Sequence, residues 1–179
     1  MDELTAQRAH IREKIRYYGR STGRLGKNRR MARRATRRRP AAAPGIDETA
    51  PCPCGLGQPY GECCGPAHRG HAPATAEALM RSRYAAFALD DAEYVMRSWH
   101  PITRPASVEA DPSMRWTGLD VLESTGGGLF DAEGVVEFRA HYRDGGRPGD
   151  MRERSRFVRH DGQWVYWGPL LTGGTLANS

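Results

Sequence analysis

Every cysteine of the chain falls in one short segment, Cys52-Pro-Cys54-Gly-Leu-Gly-Gln-Pro-Tyr-Gly-Glu-Cys63-Cys64-Gly65. The adjacent pair Cys63-Cys64 cannot easily bridge to itself, and an intracellular chain rarely keeps disulfides. Four thiolates instead satisfy a tetrahedral Zn²⁺ at about 2.3 Å per bond, and closed four-cysteine sites of this kind are structural. The spacing therefore points to a structural zinc site made by Cys52, Cys54, Cys63 and Cys64; the alternatives are disulfides or free thiols. Gly55, Gly57, Gly61 and Gly65 fit the tight turns that aim sulfurs at one point, where φ > 0 is needed. With four sulfurs available, His68 and His71 are surplus and read as solvated loop residues.

Charge divides the chain unevenly. Residues 1–45 hold 14 Lys and Arg against three Asp and Glu, a net +11, whereas residues 46–179 carry −5. The first 45 residues read as an Arg-rich extension, disordered or partly helical: Leu4, Ile11, Ile15 and Tyr18 share one side of a candidate helix over 2–18, and the stretch from Arg20 to Arg39 is too polar to fold alone. Met31 is a second candidate start. Such a segment suits phosphate backbones, so RNA or the ribosome is one partner it could serve; the other reading is a disordered, dispensable extension. No apolar run approaches the roughly 18 residues of a membrane span and no signal-like segment follows the N-terminus. The expectation is a soluble, unexported, cytoplasmic protein.

Beyond the cysteines the hydrophobic period sets the fold. Ala76, Leu79, Met80, Tyr84, Phe87 and Ala88 recur at helical spacing after Thr75, a plausible N-cap, and predict a helix over 75–89. Asp90 and Asp91 start a second, short helix through Tyr94, Val95 and Ser98, stopped by His100-Pro101. Residues 102–113 read as irregular. The period then becomes two: Leu119 and Val121, then Val136, Phe138, Ala140 and Tyr142, mark strands on either side of a Gly-rich connection at 126–128. Asp144-Gly-Gly and Asp161-Gly162 turn the chain into strands over 151–160 and 164–167. Two helices on one face of a curved, four-stranded antiparallel meander make an α+β cone over 73–170, with the cysteine segment, 50–68, attached ahead of it as a module that melts on its own. Residues 171–179 read as a flexible C-terminus.

The pattern Cys-x-Cys-x8-Cys-Cys, with Gly after the second and fourth cysteines, resembles the SEC-C zinc-finger motif, named for the C-terminus of the SecA translocation ATPase. The residues after it, Leu79-Met-Arg-Ser-Arg-Tyr-Ala-Ala-Phe87, Trp99-His100-Pro101 and Glu153-Arg-Ser-Arg-Phe157, resemble the bacterial YchJ family. That resemblance covers residues 50–168 and implies a nuclear transport factor 2-like fold and a finger that contacts a protein partner. Two features depart from the family pattern: many members carry a second SEC-C motif at the C-terminus, where this chain ends Leu170-Leu-Thr-Gly-Gly-Thr-Leu-Ala-Asn-Ser179, and the long basic extension is not usual.

Cones of this type host enzymes and pure binding proteins alike, so the fold does not choose between them. The candidate pocket residues are Tyr84, Trp99, His100, Tyr142 and Arg154. Asp120 and Glu137 alternate against apolar neighbours and so point outward, which weakens the case for catalysis. His100 reads as a helix-end cap, Trp99, Trp164 and Trp167 as core, and Arg152, Arg154 and Arg156 as one solvated strand face. The leading expectation is a zinc-binding adaptor whose finger docks a protein or ribonucleoprotein partner, not an enzyme. The alternative is a small-ligand-binding or enzymatic cone with the finger as a structural anchor.

Overall fold

The computed structural model describes residues 45–108 and 110–170. Residues 1–44 of the Arg-rich extension, with its candidate helix, and the terminus 171–179 lie outside the described residues. Three helices, α1 (Gly65–His68), α2 (Ala76–Ala88) and α3 (Ala92–Arg97), precede four strands, β1 (Met114–Gly126), β2 (Glu133–Asp144), β3 (Arg147–His160) and β4 (Gln163–Pro169). The strands form one antiparallel sheet in the order β1-β2-β3-β4. The α+β architecture read from the sequence is the one observed, with strands longer than the apolar alternation alone marks.

Local chemistry explains the boundaries. Thr75 caps α2, its hydroxyl accepting from the Ala78 amide at 3.1 Å, and Asp91 caps α3 through the Tyr94 amide at 2.9 Å; caps of this kind contribute about 1 kcal/mol each. Between them Asp90 sits at φ 57. A carboxylate there meets both the strain of a left-handed non-glycine residue and the negative end of α2. Helix α3 stops at Arg97, before the His100-Pro101 stop read from sequence, because residues 98–100 run beside β4: Tyr166 N donates to Ser98 O and His100 N to Tyr166 O, both at 2.9 Å. The β2–β3 turn, Gly145-Gly146, and the β3–β4 turn, Asp161-Gly162, have positive φ at both central residues, as two-residue hairpins with the sheet's twist require.

Helix α2 packs on β1, β2 and β4, enclosing a core of Leu79, Tyr84, Val95, Trp99, Val136, Phe138, Phe157, Trp164 and Tyr166. The expected apolar stripe is incomplete as a description. Phe87 and Ala88 are half-buried, while Ser82, Arg83, Ala85 and Ala86 are buried as well. The helix is covered on a second side, because Ala85 packs in the cysteine cluster. Trp99 and Trp164 are core, as expected; Trp167 is half-buried, held against His100 at 4.6 Å between centroids and under the Arg156 guanidinium.

Phe157 is 1% exposed, so Phe157→Ala should lower the unfolding free energy in urea by about 3–5 kcal/mol. Half-buried Phe87→Ala should cost clearly less; equal losses would contradict this packing.

Candidate metal centre

The four cysteines are brought together by two tight segments. Gly55 N donates to Cys52 O at 3.2 Å, closing a turn that Gly55 and Gly57 pass at φ 81 and 76. On the other side a 3-10 turn, Tyr60–Glu62, runs into Cys63, and α1 begins directly after Cys64. Gly61 and Gly65 do not have positive φ, contrary to the sequence reading. Gly65 is needed for space: a Cβ there would meet the Tyr60 carbonyl oxygen at 2.8 Å.

All four Sγ atoms lie within 4.8 Å of one another, and three of the four cysteines are buried. Cys54 Sγ is 3.3 Å from Cys63 Sγ, which is 4.0 Å from Cys64 Sγ. A tetrahedron with metal–sulfur bonds near 2.3 Å has edges of about 3.8 Å, so the cage has the size of a four-thiolate metal site. Its electrostatics agree. Hydrogen bonds from Cys54 and Cys64 pull the Cys52 thiol well below its ordinary value. Cys63 is pushed up, first by burial and then by its thiol neighbours, and Cys64 is pushed up first by those neighbours. So crowded a set takes on one negative charge easily and resists the next, a penalty that a central cation removes. The cysteines are all free of disulfides.

His68 is not a solvated loop residue: it is 1% exposed. Its Nε2 donates to the Ser82 carbonyl at 2.8 Å and its Nδ1 accepts from the Tyr60 hydroxyl at 2.8 Å, so the neutral Nε2–H tautomer joins the cysteine segment to α2. Burial holds His68 below the ordinary histidine value. Arg97 donates to the His68 carbonyl, and Arg81 donates to the Cys54 carbonyl at 3.3 Å. The cysteine segment is thus packed and hydrogen-bonded to the helix, where the sequence suggested a loosely attached module. His71 is exposed, as expected.

The residues nominated for a cone pocket do not converge. Tyr84 and Tyr142 each meet Trp116 edge-on, at 5.8 and 6.0 Å between centroids. Trp99 lies against Tyr166 and the Arg83 guanidinium. His100 is buried among His160 and Trp167, and its Nδ1 accepts from the Ile102 amide at 3.2 Å; it does not cap α3. Arg154 is exposed on the outer sheet face, because Glu153, Ser155 and Phe157 take the inner one. On that outer face Arg152 pairs with Glu137 and Arg156 with Glu133, and Asp120 pairs with His141 at 2.8 Å. Asp120 and Glu137 therefore both point outward, as alternation requires.

The inner face holds a carboxylate that the sequence reading passed over. Glu153 Oε1 accepts from Tyr166 OH at 2.8 Å and Ser155 Oγ at 2.6 Å. The Arg83 guanidinium lies 4.4 Å from the Tyr166 ring centroid. Burial lowers Arg83 to about 10 and raises Tyr166 well above its ordinary value, helped by the Glu153 charge, so both stay protonated at neutral pH. The signal was present: in Arg152-Glu153-Arg154-Ser155-Arg156-Phe157 the residues between the arginines share the face of Phe157. A separate shallow cleft of about 30 Å³ lies between the end of α2, α3 and the start of β1, lined by Phe87, Val95, Val108, Met114 and Trp116 with Asp90 and Asp111.

The described geometry has counterparts among known proteins. A family model described as the middle, NTF2-like domain of YchJ matches residues 75–169, and the SEC-C motif matches residues 49–66. The chain belongs to the YchJ family. It is 56% identical over 119 residues to a UPF0225 protein of Streptomyces coelicolor, covering 66% of this chain and 93% of that one. With a UPF0225 protein of Ralstonia nicotianae it shares 51% identity over 144 residues, 73% of this chain and 95% of the other. The solution structure of a SEC-C motif containing protein from Rhodopseudomonas palustris superposes with a TM-score of 0.59 at 36% identity, covering 68% of this chain and 98% of that one. A crystal structure of a SEC-C motif containing protein from Psychrobacter arcticus gives 0.51 at 25% identity, covering 74% and 85%. No helix among the described residues is long and apolar enough to cross a membrane.

The pH dependence of stability tests the His68 pin. As the folded-state value lies below the ordinary 6.5, the unfolded chain takes up a proton first as pH falls. The stability due to neutral His68 is therefore complete above about 6.5 and is lost as pH falls toward the folded value. In urea titrations His68→Gln should flatten this slope, leaving the part due to His100, which burial and His160 also depress; an undiminished slope would contradict the pin.

Proposed function

We propose that this protein is a cytoplasmic, zinc-structured adaptor. Cys52, Cys54, Cys63 and Cys64 hold one structural Zn²⁺, and the finger so formed docks a protein partner, while the Arg-rich segment ahead of it contacts RNA or the ribosome. The observation that carries the reading is the closed four-thiolate cage with Leu56, 51% exposed, on the turn between its two halves. Four protein sulfurs leave no position for substrate, so a metal there shapes a surface and does not act on a ligand.

The competing reading, a ligand-binding or catalytic cone, is favoured by Glu153 beside Tyr166 and Arg83. These groups satisfy one another inside a packed interior, which suits a buried polar strut. A cone acting on a small molecule would need to open around them.

Two outcomes test the adaptor. Purified protein should contain close to one zinc per chain, and Cys63→Ser should lose most of it. Because the cysteine segment is stitched to α2, the same variant should also lower the melting temperature of the whole domain; full metal content would remove the four-cysteine assignment. Leu56→Glu should keep its zinc and melting temperature yet fail to retain the partner that wild-type protein captures by cross-linking in cells. Equal capture by both would place docking elsewhere.

A further inference from the structure

The cleft between the end of α2, α3 and the start of β1 has an apolar floor, Phe87, Val95, Met114 and Trp116, with two carboxylates, Asp90 and Asp111. Its size, about 30 Å³, is that of part of one side chain. An apolar stem ending in a cation fits such a site, and arginine, which stacks on aromatic rings while its planar group takes carboxylates, fits best. Asp111 is held ionised: hydrogen bonds from the Ser113 hydroxyl and amide keep it below the ordinary carboxylate range.

The chain itself supplies such a cation close by. Ile46, at the beginning of the described residues, packs on the cysteine cluster, and so does Leu89, the residue before Asp90. Residues 37–39 are three consecutive arginines, and Arg39 precedes Gly45 by six positions. An extended chain covers roughly 3.3–3.6 Å per residue, so Arg39 has about 20 Å of reach from Gly45, the neighbour of Ile46, which packs on the same cysteine cluster as Leu89. Residues 1–45 carry +11 and the remainder −5, so the long-range attraction has the right sign. A tether this short makes the contact intramolecular, with an effective concentration in the millimolar range, enough to occupy a weak single-side-chain site.

We propose that the arginine-rich segment folds back on its own domain, seating one of Arg37, Arg38 and Arg39 over Trp116 and Phe87 with its guanidinium on Asp90 and Asp111. The arginines so held are withheld from phosphate, and nucleic acid must compete with the cleft for them. The proposal does not depend on the finger's partner, and Leu56→Glu leaves every group named here in place, so the two failures are distinguishable.

The test puts an amine in the proposed seat: Arg37, Arg38 and Arg39 are replaced together by lysine, in a chain whose only other lysines are Lys14 and Lys27. Carbodiimide, which joins an amine to a carboxylate without a spacer, is applied to the dilute full-length variant at low salt and the products are mapped by mass spectrometry. The expected product is a single chain with one of the three introduced amines joined to Asp90 or Asp111. Adding Asp90→Asn and Asp111→Asn should lower the total coupling of these amines about five-fold or more, as the loss of the ion pairs that hold the segment would. Coupling of these amines chiefly to other carboxylates, a total unchanged by the two Asn substitutions, or products found only as linked dimers would each overturn the proposal, the last by placing the segment on a second copy.

Discussion

Helix α2 is dry on two sides, and the bond between the Ser82 carbonyl and His68 is where those sides are held together. One side carries Leu79, Tyr84 and Arg83 into the cone; the other carries Ala85 into the cysteine cluster. Ser82 serves both, since its carbonyl accepts from His68 while its hydroxyl bonds the Tyr94 hydroxyl at 2.6 Å. A short segment rich in glycine and proline has no core of its own, and its order must come from bound metal and from surface borrowed from a neighbour. Here the neighbour is the central helix of the domain. Whatever orders the sulfurs therefore also fixes the rear wall of the cone.

Much of this could be read from the sequence, and the parts that could not have a common cause. Helix start signals at Thr75 and Asp91 and hairpin signals at Asp144-Gly-Gly and Asp161-Gly162 are local, and the chain obeys them. The cysteine cluster is local too, needing only spacing. His68, Arg83 and Glu153 were misread or missed because each is polar and each is buried by partners distant in sequence. Polarity alone predicts exposure, and only the partner overrules it. For His68 the partner is Ser82, 14 positions on; for Glu153 it is Tyr166 across a hairpin. The nominated pocket residues failed for the opposite reason. They were chosen for their chemistry, and the fold distributes that chemistry over four places.

The interior of the cone is unusual in holding a charge of each sign near one aromatic ring. Arg83 gives hydrogen bonds to Val95 O and Ser98 Oγ at 2.7 and 2.6 Å and lies over Trp99 and Tyr166, while Glu153 takes the Tyr166 hydroxyl. Removing one member would leave the others desolvated without compensation, a far larger loss than the worth of the pair itself. Such a group favours a single arrangement of α2, the 98–100 segment, β3 and β4, because sliding any of them by one residue breaks it.

An open four-stranded sheet has two borders with unpaired amides and carbonyls, each a template on which another chain could grow. One border, at β4, is partly covered from within, by the 98–100 segment. The other, β1, runs for 13 residues, and its pairing with β2 is interrupted twice, between Trp116 and Gly118 and between Val121 and Glu123. Each interruption puts an extra residue on β1, bending and twisting it out of the flat, regular line that a foreign strand must match. The same irregularities that curve the sheet around its core thus make its long outer margin, which no other strand among the described residues pairs, a poor seed for aggregation.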